Sequence, residues 1–407
     1  MKTINFILII SFITVTFILE FSFGPLINTI KGISLKNIFM YMMIISFVCQ
    51  IIIGNNKKSN KNINYLVILY FIFYIIILIY KDINMNYGFN VYSLIMHFKS
   101  YMDPLIVFIL IYNLELSYKD IKKIVLYFTI VFFALNIISI ISASGFIDIG
   151  NVNYDEKYGR IDGVLHEENV YAAFIAMFLP LIGGYILHEK QQAVKIFMVI
   201  NFILALVMLM LAGSRGGFVA SILGLFYFLS VNAKQKGFRS ISSFVLSFSI
   251  LSAVVLLIFV ALPDKSRSGL KSNIITRYEG HDIDSYSSGR LSLWVNCINR
   301  YSENPLFGAN KSFVDIVGSN THNGYLEILF YQGLVGLILY LSVIFSQFFL
   351  INRYYSTYNH FIYSSISSSF FVCLISSIFI NMYVIHYFLF TLSALALQLG
   401  SVESDNL

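Results

Sequence analysis

Four side chains in this sequence have the types and settings needed to grip an anion and move a proton. His322 stands in SNTHNGYLEILFYQGLVGLILYL, residues 319–341, where a short polar run meets an almost unbroken apolar one. Any of Ser319, Asn320 and Thr321 can cap the helix that the apolar run forms. That puts His322 in its first turn, at the positive end where anions are attracted. An imidazole there can take the proton of an attacking hydroxyl; it can equally be a phosphate ligand, or the polar tip of an interfacial helix. Asn323 beside it is a candidate substrate contact, although its amide suits a helix cap better. The other three are arginines, whose planar guanidinium binds phosphate or carboxylate through paired hydrogen bonds where a lysine acts as a point charge.

Arg215 lies in LAGSRGGFVAS, flanked by Gly213, Gly216 and Gly217. A bare backbone there lets a phosphate-like group approach, but the same glycines suit an ordinary hairpin with its arginine snorkelling to the interface. Arg160 lies in YGRIDGVLHEENVYAAF, ahead of a helix that opens on His166, Glu167, Glu168 and Asn169. Acids in that position are helix caps or candidate general bases. Arg290 opens the helical part of SYSSGRLSLWVNCINRYSENPLFG, in which Leu291, Trp294, Val295 and Ile298 recur at helical spacing. This predicts a short amphipathic helix, capped by Ser287 or Ser288 and ended before Pro305, that lies on the membrane or folds over the bundle. Upstream, Asp282-Ile-Asp284 resembles a metal-holding acidic pair, but chance produces such triplets too readily; no metal and no cofactor is expected.

What must position these residues is a set of membrane helices. The 407 residues are 58% hydrophobic and 12% charged, far more apolar than a soluble domain of this length. Apolar stretches of about 20 residues, enough to cross the hydrocarbon core as helices, recur near 5–23, 37–53, 64–80, 92–114, 124–143, 168–187, 195–212, 217–232, 243–262, 323–350, 361–380 and 383–400. The expected fold is all-α: a polytopic integral membrane protein of about twelve helices, one membrane domain over 1–407 with a large outer loop at 263–322. The first helix runs into FSFGPLINT without a cleavage site and reads as retained. Within the fourth, Lys99 and Asp103 stand at i and i+4, a pair that should face the bundle, with Lys99 a candidate substrate contact.

Placing the N-terminus in the cytoplasm puts Lys57, Lys58 and Lys61, then Lys119, Lys122 and Lys123, and later Lys234, Lys236 and Arg239 inside, as the positive-inside rule requires. The connections 144–167 and 263–322 then face outward. Six of the eight arginines also fall there: Arg160, Arg215, Arg267, Arg277, Arg290 and Arg300. Arg267, Arg277 and Arg300 read as solvated. The net charge of +6 marks orientation rather than nucleic acid, and Cys49, Cys297 and Cys373 are too scattered for a disulfide framework or a zinc site.

Three stretches, GSRGGFVASILGL at 213–225, GRLSLWVNCINRYSENPLFGAN at 289–310 and THNGYLEILFYQGLVGLILYL at 321–341, follow in order on one predicted side. Together they resemble the O-antigen polymerase and O-antigen ligase superfamily, bacterial membrane enzymes that transfer glycans from polyprenyl pyrophosphate. The resemblance implies metal-independent, inverting glycosyl transfer to a sugar hydroxyl at the outer face of the cytoplasmic (inner) membrane. It makes Arg215 and Arg290 pyrophosphate ligands, Arg160 a further one, and His322 the catalytic histidine. It also implies polyprenyl-pyrophosphate-linked oligosaccharides as donor and acceptor, membrane lipid as surroundings, and a chain-length regulator and flippase as partners. Where the family often has Gly-x-Gly after its proline, this chain has Gly308-Ala309-Asn310.

Polymerisation of lipid-linked repeat units into O-antigen or capsular polysaccharide is the preferred reading. The alternative is ligation of a finished glycan to the lipid A core. An alternative of another class is a transporter of polysaccharide or lipid-linked oligosaccharide. Such carriers carry internal repeats, and residues 1–200 show no match to 201–407.

Overall fold

The computed structural model describes residues 2–20, 22, 34–53, 61–84, 91–144, 154–155, 160–165, 167–236, 289–309, 313–358, 360–380 and 383–404. In chain order its helices begin with α1 (Lys2–Ile13, running on as a π-helical stretch Thr14–Glu20), α2 (Leu35–Ile52), α3 (Lys61–Asn84), α4 (Val91–Asn113) and α5 (Tyr118–Ala143). A two-residue antiparallel pair follows, β1 (Tyr154–Asp155) on β2 (Arg160–Ile161). Then come α6 (Glu168–His188), α7 (Gln192–Ala212), α8 (Arg215–Lys236), α9 (Arg290–Tyr301), α10 (Phe313–Val317), α11 (Gly324–Tyr358), α12 (Phe361–Ser376) and α13 (Tyr383–Ser404).

Seven helices among the described residues are long and apolar enough to cross a membrane, with shorter apolar helices at Tyr65–Lys81, Met102–Asn113 and Phe361–Ser376. The protein is an all-α polytopic membrane protein. Each expected span has its helix except 243–262, which lies outside the described residues. The helices cluster into two units of interleaved stretches. Met1–Ser46, Glu115–Thr276 and Ile351–Ser376 make the first; Phe47–Leu114, Arg277–Leu350 and Ser377–Leu407 make the second.

The first unit is organised around α6. A soluble-type helix would show one apolar stripe, but ENVYAAFIAMFLPLIGGYILH is apolar all round, and every residue from Val170 to Ile182 is buried. Lipid offers no hydrophobic drive for helices to associate, so neighbours approach through small residues that let backbones close up. Gly217 of α8 sits against Ala172, where an added Cβ would come 2.5 Å from the alanine methyl. The serines of α12 are buried too, and each needs a partner in so apolar a setting. Ser369 Oγ donates to the Met177 carbonyl of α6 at 2.7 Å, and Ser368 Oγ to Ser364 O of its own helix at 2.7 Å.

In the second unit α4 packs on α13. Phe108 meets Phe390 edge-on at 6.2 Å, and buried Asp103 accepts from Tyr387 Oη at 3.3 Å. The tenth expected span, continuous over 323–350, needs correction, because α11 is broken at Gly333 (φ 71°, ψ −174°). The segment Pro305–Ala309 fills the break. Leu334 N–H donates to Pro305 O at 2.9 Å, Val335 N–H to Leu306 O at 3.3 Å, and Ala309 N–H to Phe330 O at 2.7 Å. Irregular backbone at membrane depth survives only where protein re-satisfies its polar groups in this way. Gly308 (φ 76°) makes the turn that brings Ala309 in, so the departure at Gly308-Ala309 is compatible with a tight, docked turn.

Candidate functional site

Arg215 begins α8 at a turn built by its immediate neighbours. Gly213 ends α7 in the left-handed region (φ 60°, ψ 23°), a conformation that costs glycine nothing. Ser214 then caps α8. Its carbonyl takes the Phe218 N–H at 3.0 Å, and its buried hydroxyl donates to Asn169 Oδ1 at 2.8 Å. Arg215 itself is exposed. Gly217, expected to leave backbone bare, instead serves the packing on Ala172.

Arg160 holds this turn from outside. Its Nε donates to the Ala212 carbonyl, at the end of α7, at 3.1 Å, and its Nη1 pairs with Glu168 Oε1 at 2.7 Å. One buried guanidinium therefore ties the end of α7 to the start of α6. Glu168 is engaged in that pair. Glu167 takes the cap position of α6 without a side-chain capping bond, and His166 lies outside the described residues.

The second unit carries the histidine. His322 is not in the first turn of α11, as Ser319, Asn320 or Thr321 capping would have made it; the helix starts at Gly324, two residues later. Asn323 is the cap, its Oδ1 accepting from Tyr325 N–H at 3.0 Å and Leu326 N–H at 3.1 Å. Thr321 is fixed by Glu327, whose Oε1 accepts from its N–H at 2.8 Å and its hydroxyl at 3.0 Å. Between two locked residues, His322 is half-buried at φ 50°, alone among the described non-glycine residues in having a positive φ. Such backbone is uncommon outside glycine and persists only where its surroundings impose it.

Those surroundings come from far along the chain. Trp294 Nε1 of α9 donates to the Thr321 carbonyl at 2.9 Å. Gly324 N–H is shared by Ser377 O at 2.8 Å and Ile380 O at 3.0 Å, and Arg290 Nη1 donates to Phe379 O of the same segment at 2.8 Å. Arg290 and the His322 turn are thus anchored to one stretch, 377–380. The amphipathic helix is confirmed, but its cap is Gly289 (φ 77°), with no side-chain bond, rather than Ser287 or Ser288, which lie outside the described residues. Its apolar residues split between two faces. Leu293, Cys297 and Tyr301 pack on Phe313 and Phe330, while Leu291, Val295 and Ile298 are exposed. Burial, with Glu327 adding to it, pushes the Cys297 thiol up to about 12, so it is an inert packing residue.

The structure thus brings Arg160 to the Arg215 turn and Arg290 to the His322 turn. Arg300 is exposed and donates to Asn296 Oδ1 at 2.9 Å, as a solvated loop residue would. The side chain of Lys99, and Asp282, Asp284, Arg267 and Arg277, lie outside the described residues.

Residues 200–341 match the family model described as O-antigen ligase. Over these residues the chain is similar to that family, which supports the resemblance to the O-antigen polymerase and ligase superfamily. It spans Arg215, Arg290, His322 and Asn323 and leaves Arg160 and Lys99 outside. An uncharacterized protein of Haemophilus influenzae is 23% identical over 210 residues, 46% of this chain. The alignment covers 51% of that relative, so the chain spans about half the length of the curated relative it matches.

Proposed function

We propose that this protein is a polysaccharide polymerase of the bacterial inner membrane. It joins lipid-linked repeat units by transferring a glycan from polyprenyl pyrophosphate to a sugar hydroxyl. The observation that carries the proposal is His322, a proton acceptor by type, held in left-handed backbone by Trp294, Glu327 and Asn323. In the reaction the hydroxyl oxygen forms the new bond to the anomeric carbon and its proton passes to the His322 imidazole. The bond from that carbon to the pyrophosphate oxygen breaks, and the leaving pyrophosphate carries away the electron pair.

That leaving group gains negative charge as it departs, and preorganised cations stabilise it without a metal. Arg215 and Arg290 are assigned this role. Arg160 serves the same anion through the turn it holds. Lys99 and Asn323 remain candidate sugar contacts, Asn323 mainly as the cap. The reaction faces outward, with a flippase supplying substrate and a chain-length regulator setting its extent.

Ligation to a lipid A core is the second reading, favoured by the description of the matched family itself. One reconstitution separates the two. Purified protein given lipid-linked repeat units alone should build a ladder of lengthening polymers. If products form only when lipid A core is added, and then carry a single preformed glycan, the polymerase reading is wrong and the ligase reading stands.

A further inference from the structure

The break in α11 leaves more than a kink. α3 has two faces: Ile68, Ile72, Ile76 and Tyr80 are exposed as lipid-facing residues should be, and the opposite stripe, Tyr70, Tyr74, Ile77 and Lys81, is buried. Three of those four are polar, in a helix whose other buried contacts are served by apolar side chains. Lys81, 3% exposed, donates to the Tyr331 carbonyl and lies 3.8 Å from the centroid of the Tyr331 ring. No carboxylate pairs with it among the described residues. Gln332, fully buried, accepts the Tyr70 hydroxyl on Oε1 at 2.8 Å, while its Nε2 donor has no partner among the described residues. Gly336 leaves the room this side chain occupies, since a Cβ there would come 3.0 Å from Gln332 Oε1.

Capping alone does not explain this. The neighbouring freed carbonyl, Phe330 O, is satisfied by a backbone N–H from Ala309, and the two amides after the break are taken by Pro305 and Leu306. The loop thus repairs the break with neutral groups, and a buried charge is more than the Tyr331 carbonyl requires. What is left over just before the break is, among the described residues, an ammonium without an acid and an amide N–H without an acceptor. Surplus donors with a net positive charge, buried at an interrupted membrane helix, suit an anion bearing several acceptor oxygens.

We propose that the α11 break is an anion site in which Lys81 and Gln332 bind a phosphate group of a membrane-embedded phosphate ester. Resting on the function proposed above, that ester is the polyprenyl diphosphate of the substrate. The test uses purified full-length protein in phosphatidylcholine nanodiscs, titrated with sugar-free polyprenyl diphosphate. Lys81→Met should weaken binding by roughly tenfold or more, as loss of a charge-assisted hydrogen bond does. Lys81→Arg should keep most of it, and Gln332→Leu should lose about threefold to tenfold. Gln332→Glu covers the case in which Lys81→Met does not fold: its carboxylate pairs with the ammonium and should abolish binding while raising thermal stability.

Wild-type affinity in Lys81→Met, or in Gln332→Glu where the former does not fold, would make Lys81 a helix cap and overturn the site. Repeating the titration in phosphatidylglycerol discs identifies the source of the phosphate. Competition that vanishes in Lys81→Met assigns the site to an anionic lipid headgroup, and its absence assigns it to the diphosphate. Arg215→Ala, titrated in parallel, keeps the two proposals apart. Lost binding there beside intact Lys81→Met sinks this site alone; the converse sinks the role given to Arg215.

Discussion

The turn carrying Arg215 and the turn carrying His322 are made of similar material, small and polar residues at the start of an apolar helix, yet they treat the residue they carry differently. Around Arg215 the distant contacts, Arg160 on the Ala212 carbonyl and Asn169 on the Ser214 hydroxyl, fix the neighbouring residues, Gly213 reverses the chain, Ser214 caps the helix, and the guanidinium that follows is left exposed. Around His322 the shape is imposed from a distance, by Trp294, by the 377–380 segment and by Glu327, on a backbone the residue would not choose. The contrast suits the two roles proposed for these residues. A long cationic arm can find an anion from many starting rotamers. A general base must stand within hydrogen-bond reach of one proton, so its backbone is worth straining and bracing.

Removing the charge should have the largest effect. Arg215→Ala and Arg290→Ala should each abolish long-chain product while the protein remains in the membrane, and lysine at either position should restore only part of it, read from polymer length on a gel. If both alanine variants gave normal chains, the pyrophosphate assignment would fail and the exposed Arg215 would be a solvated turn residue. A smaller effect is expected from loosening the brace. Trp294→Phe keeps the ring and deletes the N–H to Thr321, and should lower turnover by about tenfold with donor affinity unchanged. The equivalent change at the other turn, Ser214→Ala, should weaken donor binding instead. Equal losses in both parameters for both variants would erase the distinction between the two regions.

The sequence made the spans legible because crossing a bilayer demands a length of apolar chain that soluble structure rarely needs. It singled out His322 and the arginines by residue type, the candidates on which the proposed chemistry rests. Their supports were not. In Thr321-His322-Asn323 the flanking pair can both cap, and the choice of Asn323 depends on Glu327 reaching back to Thr321, a contact no spacing rule singles out. The break at Gly333 went unread because a lone glycine is ordinary in a membrane helix; the signal was Gln332 just before it, a polar residue in an apolar run. Lys81 was hidden by position, since a lysine closing an apolar helix reads as an interface marker. Arg160 was legible as a special arginine but not as a strut, because Glu168 and the Ala212 carbonyl converge on it only in the fold.

The smallest effects are on stability and differ in sign within three residues. Asn323→Ala removes the cap of α11 and should cost about 1 kcal/mol in thermal unfolding, with a loss of turnover much smaller than that of His322→Ala. His322→Gly relieves left-handed backbone and should gain about 1 kcal/mol while turnover is lost. A glycine variant no more stable than the wild type would mean that the turn stores no strain.

The division of labour between the two turns is tested most directly by measuring donor affinity and single-turnover rate together in His322→Ala, with lipid-linked repeat units and a chelator present. The account predicts wild-type donor affinity and a rate lower by about 10² to 10⁴, the usual contribution of a positioned base. A variant that kept its rate and lost donor affinity would make His322 a phosphate ligand, and the base would have to be sought among His166, Glu167 and Glu168.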